Sequence, residues 1–221
     1  MEFVQTADGS KTLYHAEVGE HYHSKHGAQQ ESKHVFLNTG LRHWLEMSGK
    51  TNVAILEIGF GTGLNFLNTA DWTSQNQITL DYVGIEAYPL TEELIAQSGY
   101  NEYIATAIWD SFLEKYPQAL NHKVQFSSDI QWKVAVDKVM DFNTADRFDV
   151  VYFDAFAEIH QPEMWTLETL SHISQFLNPG AVFVTYAITG NLKRAMKSLG
   201  FQIEKAPGAP GKREMLRAIK L

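Results

Sequence analysis

Four carboxylates stand where strands are expected to end: Glu57 in AILEIG, Glu86 in VGIEA, Asp137 in VAVDK and Asp154 in VYFDAF. An acid at the carboxyl end of a buried strand is placed to meet a ligand, because open α/β sheets bind ligands along that edge. The first acid leads into glycines at alternate positions, Gly59, Gly61 and Gly63. Glycine admits φ > 0 and lets another molecule approach the main chain. A strand, a bare turn and a helix start together hold nucleotide-like ligands in such folds. A dinucleotide fingerprint needs G-x-G-x-x-G, and its third glycine would fall on Leu64. The turn therefore lacks the spacing that cradles a diphosphate.

E-x-G-x-G-x-G resembles motif I of S-adenosylmethionine methyltransferases. The resemblance implies that Glu57, Gly59, Gly61, Gly63 and Asn65 form a cofactor-binding set, with the glycines beneath the methionine part of the ligand. Glu86 is placed to accept the ribose hydroxyls. Asp137 is expected to meet the adenine amino group, with Asp129 as its rival. Asp154 is followed at once by Phe156. Amino-group methyltransferases often carry D/N-P-P-Y/F at this place, a polar acceptor for the nitrogen and an aromatic wall. DAFA is similar without the prolines, and an Asp that merely caps the next helix is the competing reading.

These residues need elements to hold them. Apolar runs predict strands at Val53–Ile58, Leu80–Ile85, Ile130–Val136, Phe148–Phe153 and Ala181–Tyr186. Helical spacing appears at Phe36–Met47, Leu64–Trp72, 89–116 with a break near Gly99, Glu163–Phe176 and Asn191–Leu199. Asn178-Pro179-Gly180 is expected to stop the fourth of these. Strands alternating with helices imply a parallel sheet with right-handed crossovers. Two last strands, near 201–205 and 213–219, are joined by a loop too short for a crossover, so they should pair antiparallel. A mostly parallel α/β sheet with a C-terminal antiparallel hairpin is the class I methyltransferase arrangement. Residues 1–35 are expected to form an irregular or hairpin-like extension of the same domain, and 36–221 the methyltransferase domain.

With 221 residues, 44% hydrophobic and 20% charged, the chain has the composition of an ordinary globular domain. It holds no cysteine, so disulfides, thiolate metal sites and cysteine nucleophiles are excluded. The N-terminus lacks a basic flank and apolar core, no run is long enough to span a bilayer, and the expected location is cytoplasmic, without membrane partners. Net charge is −8, yet residues 191–221 hold Lys193, Arg194, Lys197, Lys205, Lys212, Arg213, Arg217 and Lys220 against Glu204 and Glu214, about +6. An acidic body with a basic end can steer a polyanion to one face, or simply solvate a helix and hairpin. Six of nine histidines precede residue 44, including His21, His23 and His26. No acidic cluster completes a metal site, so a surface or nucleic-acid-facing loop is expected and no metal.

GFGTGLNFL, IEAYPLT, FDAFAEIHQPEMWT and GKREML, in this order, together resemble the methyltransferase module of the MnmC family, called MnmD when it stands alone. YHSKHGAQQESKHVFL resembles that family's N-terminal stretch, and the likeness covers about residues 20–217. It implies methylation of the amino group of 5-aminomethyl-2-thiouridine at the wobble position of tRNA, with S-adenosylmethionine as donor. In two-domain members an FAD-dependent oxidoreductase follows, and no FAD is expected here. Asp154 is the expected catalytic group; Tyr22, Glu31, Ser32, Phe156 and Trp165 are expected around the target base, and Lys212 and Arg213 on tRNA phosphates. Glu158 stands where the family pattern has proline. Two other readings remain: an N-methyltransferase of small-molecule amines, which the acidity favours, and a cofactor-binding module without catalysis.

Overall fold

The computed structural model describes residues 1–221. The chain opens with an antiparallel meander, β1 (Glu2–Gln5), β2 (Lys11–His15) and β3 (Glu20–His21). A long helix follows: α1 (Ala28–Glu31), a π-helical stretch Ser32–Arg42, and α2 (His43–Ser48), ended by Gly49 in the left-handed region. The helix starts eight residues before its apolar periodicity does, because its first turns bury polar groups. Gln29 and Asn68 exchange amide hydrogen bonds of 2.8 and 3.0 Å, and Ser32 meets Asn65. Asp8 fastens the meander to this helix, accepting from the backbone N–H of Gln30 at 3.0 Å.

The main sheet has eight strands: β4 (Asn52–Ile58), β5 (Thr79–Ile85), β6 (Val124–Ser127), β7 (Ile130–Ala135), β8 (Phe148–Phe153), β9 (Leu177–Thr185), β10 (Phe201–Pro207) and β11 (Glu214–Lys220). Their order is β10-β11-β9-β8-β4-β5-β7-β6. The five central strands, β9 to β7 in that order, are parallel; β6 and β11 run against them, and β10, antiparallel to β11, runs in their sense. The expected parallel sheet with a C-terminal hairpin is thus the observed architecture, with β6 as an additional short edge strand.

Alternation along each central strand divides the core. Ile55, Tyr82, Trp132, Val150 and Tyr152 face the long helix, α3 (Leu64–Asn76) and α5 (Thr106–Ala119). Leu56, Val83, Val151, Phe153 and Phe183 face α6 (Leu167–Ser174) and α7 (Gly190–Ser198). Between β5 and α5, the expected helical stretch is divided among α4 (Glu92–Ile95) and two single 3₁₀ turns that flank Gly99. The helix expected over 163–176 is cut as well: a 3₁₀ turn at Pro162–Trp165 gives way to α6, because Thr166 caps it by accepting from Thr169 N–H. Asn178, Pro179 and Gly180 lie inside β9, in a bulge that shifts its register against β8 between Phe148 and Val150. No helix is long and apolar enough to cross a membrane.

The chain places β5 and β7 on one side of β4, then returns to place β8 on the other. Neighbouring carboxyl ends whose connections leave in opposite directions open a crevice there. The turn after β4 carries the three glycines and the turn after β8 carries Asp154, so the crevice contains the residues with the chemistry.

An aromatic stack supports β7 beneath this edge. Fully buried Trp132 stacks on Phe66 at 4.4 Å and on Phe112 at 5.2 Å between centroids. Trp132→Ala is expected to lower the unfolding free energy by about 3–5 kcal/mol, the usual cost of emptying such a site, as measured by urea denaturation.

Candidate active site

The glycine turn is pinned to β5. Gly59 and Phe60 both donate backbone N–H bonds to Ile85 O at 3.1 Å, and Gly61 N–H donates to Glu86 Oε2 at 2.9 Å. Gly59 (φ +84°) and Gly61 (φ +53°) need the left-handed region, and both are crowded by protein. A Cβ on Gly59 would lie 2.6 Å from the carbonyl oxygen of Asp154; one on Gly61 would lie 2.7 Å from the Tyr22 ring. Gly63 turns the chain into α3 against Phe112. The bare backbone thus serves first to let β8 and Tyr22 close on the turn.

Glu57 and Asn65 lie beneath the turn. Glu57 is fully buried; its two carboxylate oxygens accept from Asn65 Nδ2 (2.8 Å) and Tyr82 Oη (2.7 Å). Asn65 Nδ2 also donates to Asp154 Oδ2 at 2.7 Å, and its Oδ1 accepts from Ser32 Oγ at 2.6 Å. Contrary to expectation, these three present no face to a ligand: Glu57, Asn65 and Ser32 are struts under the crevice. Glu86 is half-buried at the carboxyl edge, where its oxygens accept from Gly61 and Tyr88 N–H. Asp137 is half-buried two residues beyond β7, near Glu86, whose N–H donates to Ala135 O. Asp129 lies at the start of β7, on the opposite edge from the glycines, because its carbonyl accepts from Leu80 at the start of β5. Two carboxylates at one edge beside the bare turn fit the ribose hydroxyls and amino group of an adenosine-bearing ligand.

Asp154 is buried, its side chain 5% exposed. Burial, and then Glu31, raise its carboxyl well above the usual value, against the Asn65 hydrogen bond and Lys212. Burial does the same to Glu57, opposed by Tyr82 and Asn65. His23 Nδ1 lies 3.7 Å from Asp154 Oδ2. Burial lowers its imidazole to about 4, against the pull of Glu31. Because the imidazole is neutral above that value, this contact is no ion pair. His23 is therefore not on an open loop as the histidine-rich sequence suggested.

Beside Asp154 is a cavity of about 260 Å³, lined by β3 and the segment after it, Glu31, Ala155, Phe156, Tyr186 and Lys212. Tyr22 and Phe156 meet edge-to-face at 5.2 Å on its wall. Glu31 accepts from Ser24 N–H and from Lys212 Nζ at 3.2 Å, and the same ammonium sits 3.9 Å over the Tyr186 ring. Tyr22, Glu31 and Phe156 are thus brought together at one cavity. Lys212 turns into the cavity rather than outward, while Arg213 is exposed with no acidic partner. Trp165 is core: 8% exposed, it packs on Phe153 at 4.9 Å and donates its Nε1–H to Phe156 O, which positions Phe156 from behind. Glu20 and Tyr186, which no sequence motif marked, hold the loop after Asp154 by accepting from Ala157 N–H and by donating to Ala155 O.

The raised carboxyl has a thermodynamic signature. The native state keeps the Asp154 proton to higher pH than the unfolded chain does, so this group lowers stability as pH rises above its unfolded value of about 4. Asp154→Asn removes that loss. Thermal denaturation of both proteins between roughly pH 4 and 8 should show the variant gaining on the parent as pH rises.

Residues 103–221 match the model of a family described as S-adenosyl-L-methionine-dependent methyltransferase. Relatives include the tRNA 5-methylaminomethyl-2-thiouridine biosynthesis bifunctional protein MnmC of Cupriavidus necator, 32% identical over 88% of this chain and 31% of that protein. The protein of the same name from Cupriavidus metallidurans is 31% identical over 97% of this chain and 33% of its own length. The chain thus spans about a third of the length of the curated relatives it matches. Among solved structures, MNMC2 from Aquifex aeolicus superposes with a TM-score of 0.78 at 25% identity, over 98% of this chain and 69% of that one. DesVI of Streptomyces venezuelae shares the fold, at TM-score 0.52 and 11% identity over 87% of this chain and 92% of its own. The crevice between β4 and β8, with its glycine turn and edge carboxylates, is that of a methyltransferase, and the chain belongs to the S-adenosyl-L-methionine-dependent methyltransferase family as a domain of the MnmC type.

Proposed function

We propose that the chain methylates the amino group of 5-aminomethyl-2-thiouridine at the tRNA wobble position, giving 5-methylaminomethyl-2-thiouridine. The observation that carries this is a buried carboxyl, Asp154, at the end of β8, between the glycine turn and a cavity walled by aromatic and charged side chains. The names of the relatives, which concern 5-methylaminomethyl-2-thiouridine in tRNA, supply the substrate. In this reading Glu86 and Asp137 hold the adenosine, the turn from Gly59 to Gly63 lies under the methionine part, and Glu57 and Asn65 keep that turn in place.

An aminomethyl group is an ammonium at neutral pH and has no lone pair. A carboxylate raised by burial is a stronger base than one in water, so Asp154 is matched to remove that proton. When bound, S-adenosylmethionine supplies a sulfonium methyl: the nitrogen lone pair makes the N–C bond and sulfur keeps the C–S pair. The product leaves as a secondary ammonium, and the proton on Asp154 passes to solvent. Tyr22 and Phe156 offer faces and edges to a planar base. Wobble bases stand in a single-stranded loop, where a base can be splayed out without opening a duplex.

The acidity of the body favours a second reading, a small cationic amine as substrate. Labelled methyl donor, supplied with tRNA whose wobble uridines end in aminomethyl groups, separates the two. Label in 5-methylaminomethyl-2-thiouridine is expected; label in small amines and none in tRNA would overturn the tRNA reading. Asp154→Ala should lower single-turnover methyl transfer by roughly 10²–10⁴-fold while donor affinity changes far less. Equal loss of both would move Asp154 into the donor site.

Three of the eight C-terminal cations are already paired with carboxylates, and a fourth is held by carbonyls. Lys205 pairs with Glu214, Arg217 with Glu204, Lys212 with Glu31, and Lys220 donates to the carbonyls of Ser174 and Leu177. Lys193, Arg194, Lys197 and Arg213 have no acidic partner and are the candidates for phosphate contacts. Arg194→Ala with Arg213→Ala should flatten the salt dependence of tRNA binding by roughly one to two units of log–log slope, read from filter binding at several salt concentrations.

A further inference from the structure

An amine nucleophile needs more than a base. Its N–H groups must be held so that the lone pair points at the incoming carbon, and a tetrahedral nitrogen with two N–H bonds is fixed by two acceptors. Asp154 is one. The carbonyls that follow it are natural candidates for the second, and each already accepts one bond within the protein. Ala155 O accepts from Tyr186 Oη at 2.9 Å, and Phe156 O accepts from Trp165 Nε1 at 2.8 Å.

His23 offers an acceptor that has no partner in the fold. Its residue is 7% exposed, and its Nδ1 is buried with no hydrogen-bond partner. Buried polar atoms are rarely left so, and the exceptions call for an explanation. That nitrogen lies 3.7 Å from Asp154 Oδ2, a separation at which one donor nitrogen can sit about 2.9 Å from both. The backbone on either side of the ring is fixed, since His23 N–H donates to Thr12 Oγ1 at 2.9 Å and Thr12 Oγ1 donates to His23 O at 3.1 Å. The side chain itself makes no other bond in the fold.

We propose that His23 Nδ1 is the second acceptor for the target nitrogen, and that the Asp154–His23 pair limits the enzyme to one methyl per amine. The inference rests on the proposed amine methylation. A neutral primary amine gives one N–H to each acceptor, its carbon takes a third direction, and the lone pair takes the fourth. Once methylated, the neutral amine has a single N–H. It then leaves one of two buried acceptors unsatisfied, and a second transfer loses that hydrogen bond. The imidazole must be neutral with its proton on Nε2.

Two variants test this. His23→Asn keeps an acceptor oxygen near the place of Nδ1; His23→Leu fills the space without one. With the full chain and aminomethyl tRNA, His23→Leu should lose roughly 10–100-fold in the first methyl transfer, the cost of one hydrogen bond in a buried site, and His23→Asn should recover most of it. The discriminating readouts are mass spectrometry of the product nucleoside after prolonged turnover, and the affinities of aminomethyl and methylaminomethyl tRNA. The parent should stop at one methyl and bind the primary amine better. His23→Leu should narrow both preferences, so that dimethylated nucleoside appears relative to the monomethylated form. Unchanged preferences in a folded His23→Leu, or a His23→Asn variant no better than His23→Leu, would overturn the role of His23 while leaving the methylation reading intact. A parent that methylates no amine would overturn both.

Discussion

One amide connects the parts of this site. Asn65, on the first turn of α3, donates to Glu57 at the end of β4 and to Asp154 beyond β8, and accepts from Ser32 on the long helix. The long helix, the turn between β4 and α3, and the end of β8 meet through one side chain whose hydrogen bonds all go to the protein. Two buried carboxyls are a destabilising arrangement, since each resists ionisation in a low-dielectric interior. The Asn65 amide and the Tyr82 hydroxyl reduce that cost, and what remains raises Asp154 toward the range useful to a base.

The position of this junction follows from topology. β4 and β8 are neighbours in the sheet but their connections leave in opposite directions, so the loops after them separate above the edge. Where the loops separate, the backbone of one must still touch the other. Gly59 makes that possible, since any side chain there would displace the carbonyl of Asp154. The glycine turn is therefore set by contact between two strand ends as much as by the ligand it faces.

The N-terminal meander completes the site from above. Tyr22 lies on Gly61, His23 stands beside Asp154, and Glu20 holds the loop after it. The meander is fastened to the long helix through Asp8, and the helix to the crevice through Ser32 and Asn65. Lys212 reaches in from the C-terminal hairpin to Glu31. Both ends of the chain thus contribute to one pocket, and the basic C-terminal segment loses about half its free charge to partners within the fold.

The sequence by itself determined the parallel sheet, the hairpin at its end, the glycine turn and the acids at the strand ends. Each of these is written locally, in period-two apolar runs, in turn residues and in short motifs. It determined much less about which acids face outward. Glu57 and Glu86 each close a strand, yet one is sealed by Tyr82 and Asn65 and the other is half-open, a difference made by neighbours distant in the chain. Only the tertiary structure turned His23 inward, made Trp165 a support instead of a wall, sent Lys212 into the cavity and set Asp129 on the far edge. The start of the long helix was hidden for the same reason: Gln29 and Ser32 are buried by hydrogen bonds to Asn68 and Asn65, and a polar residue that finds a buried partner has no signature in a hydrophobic pattern.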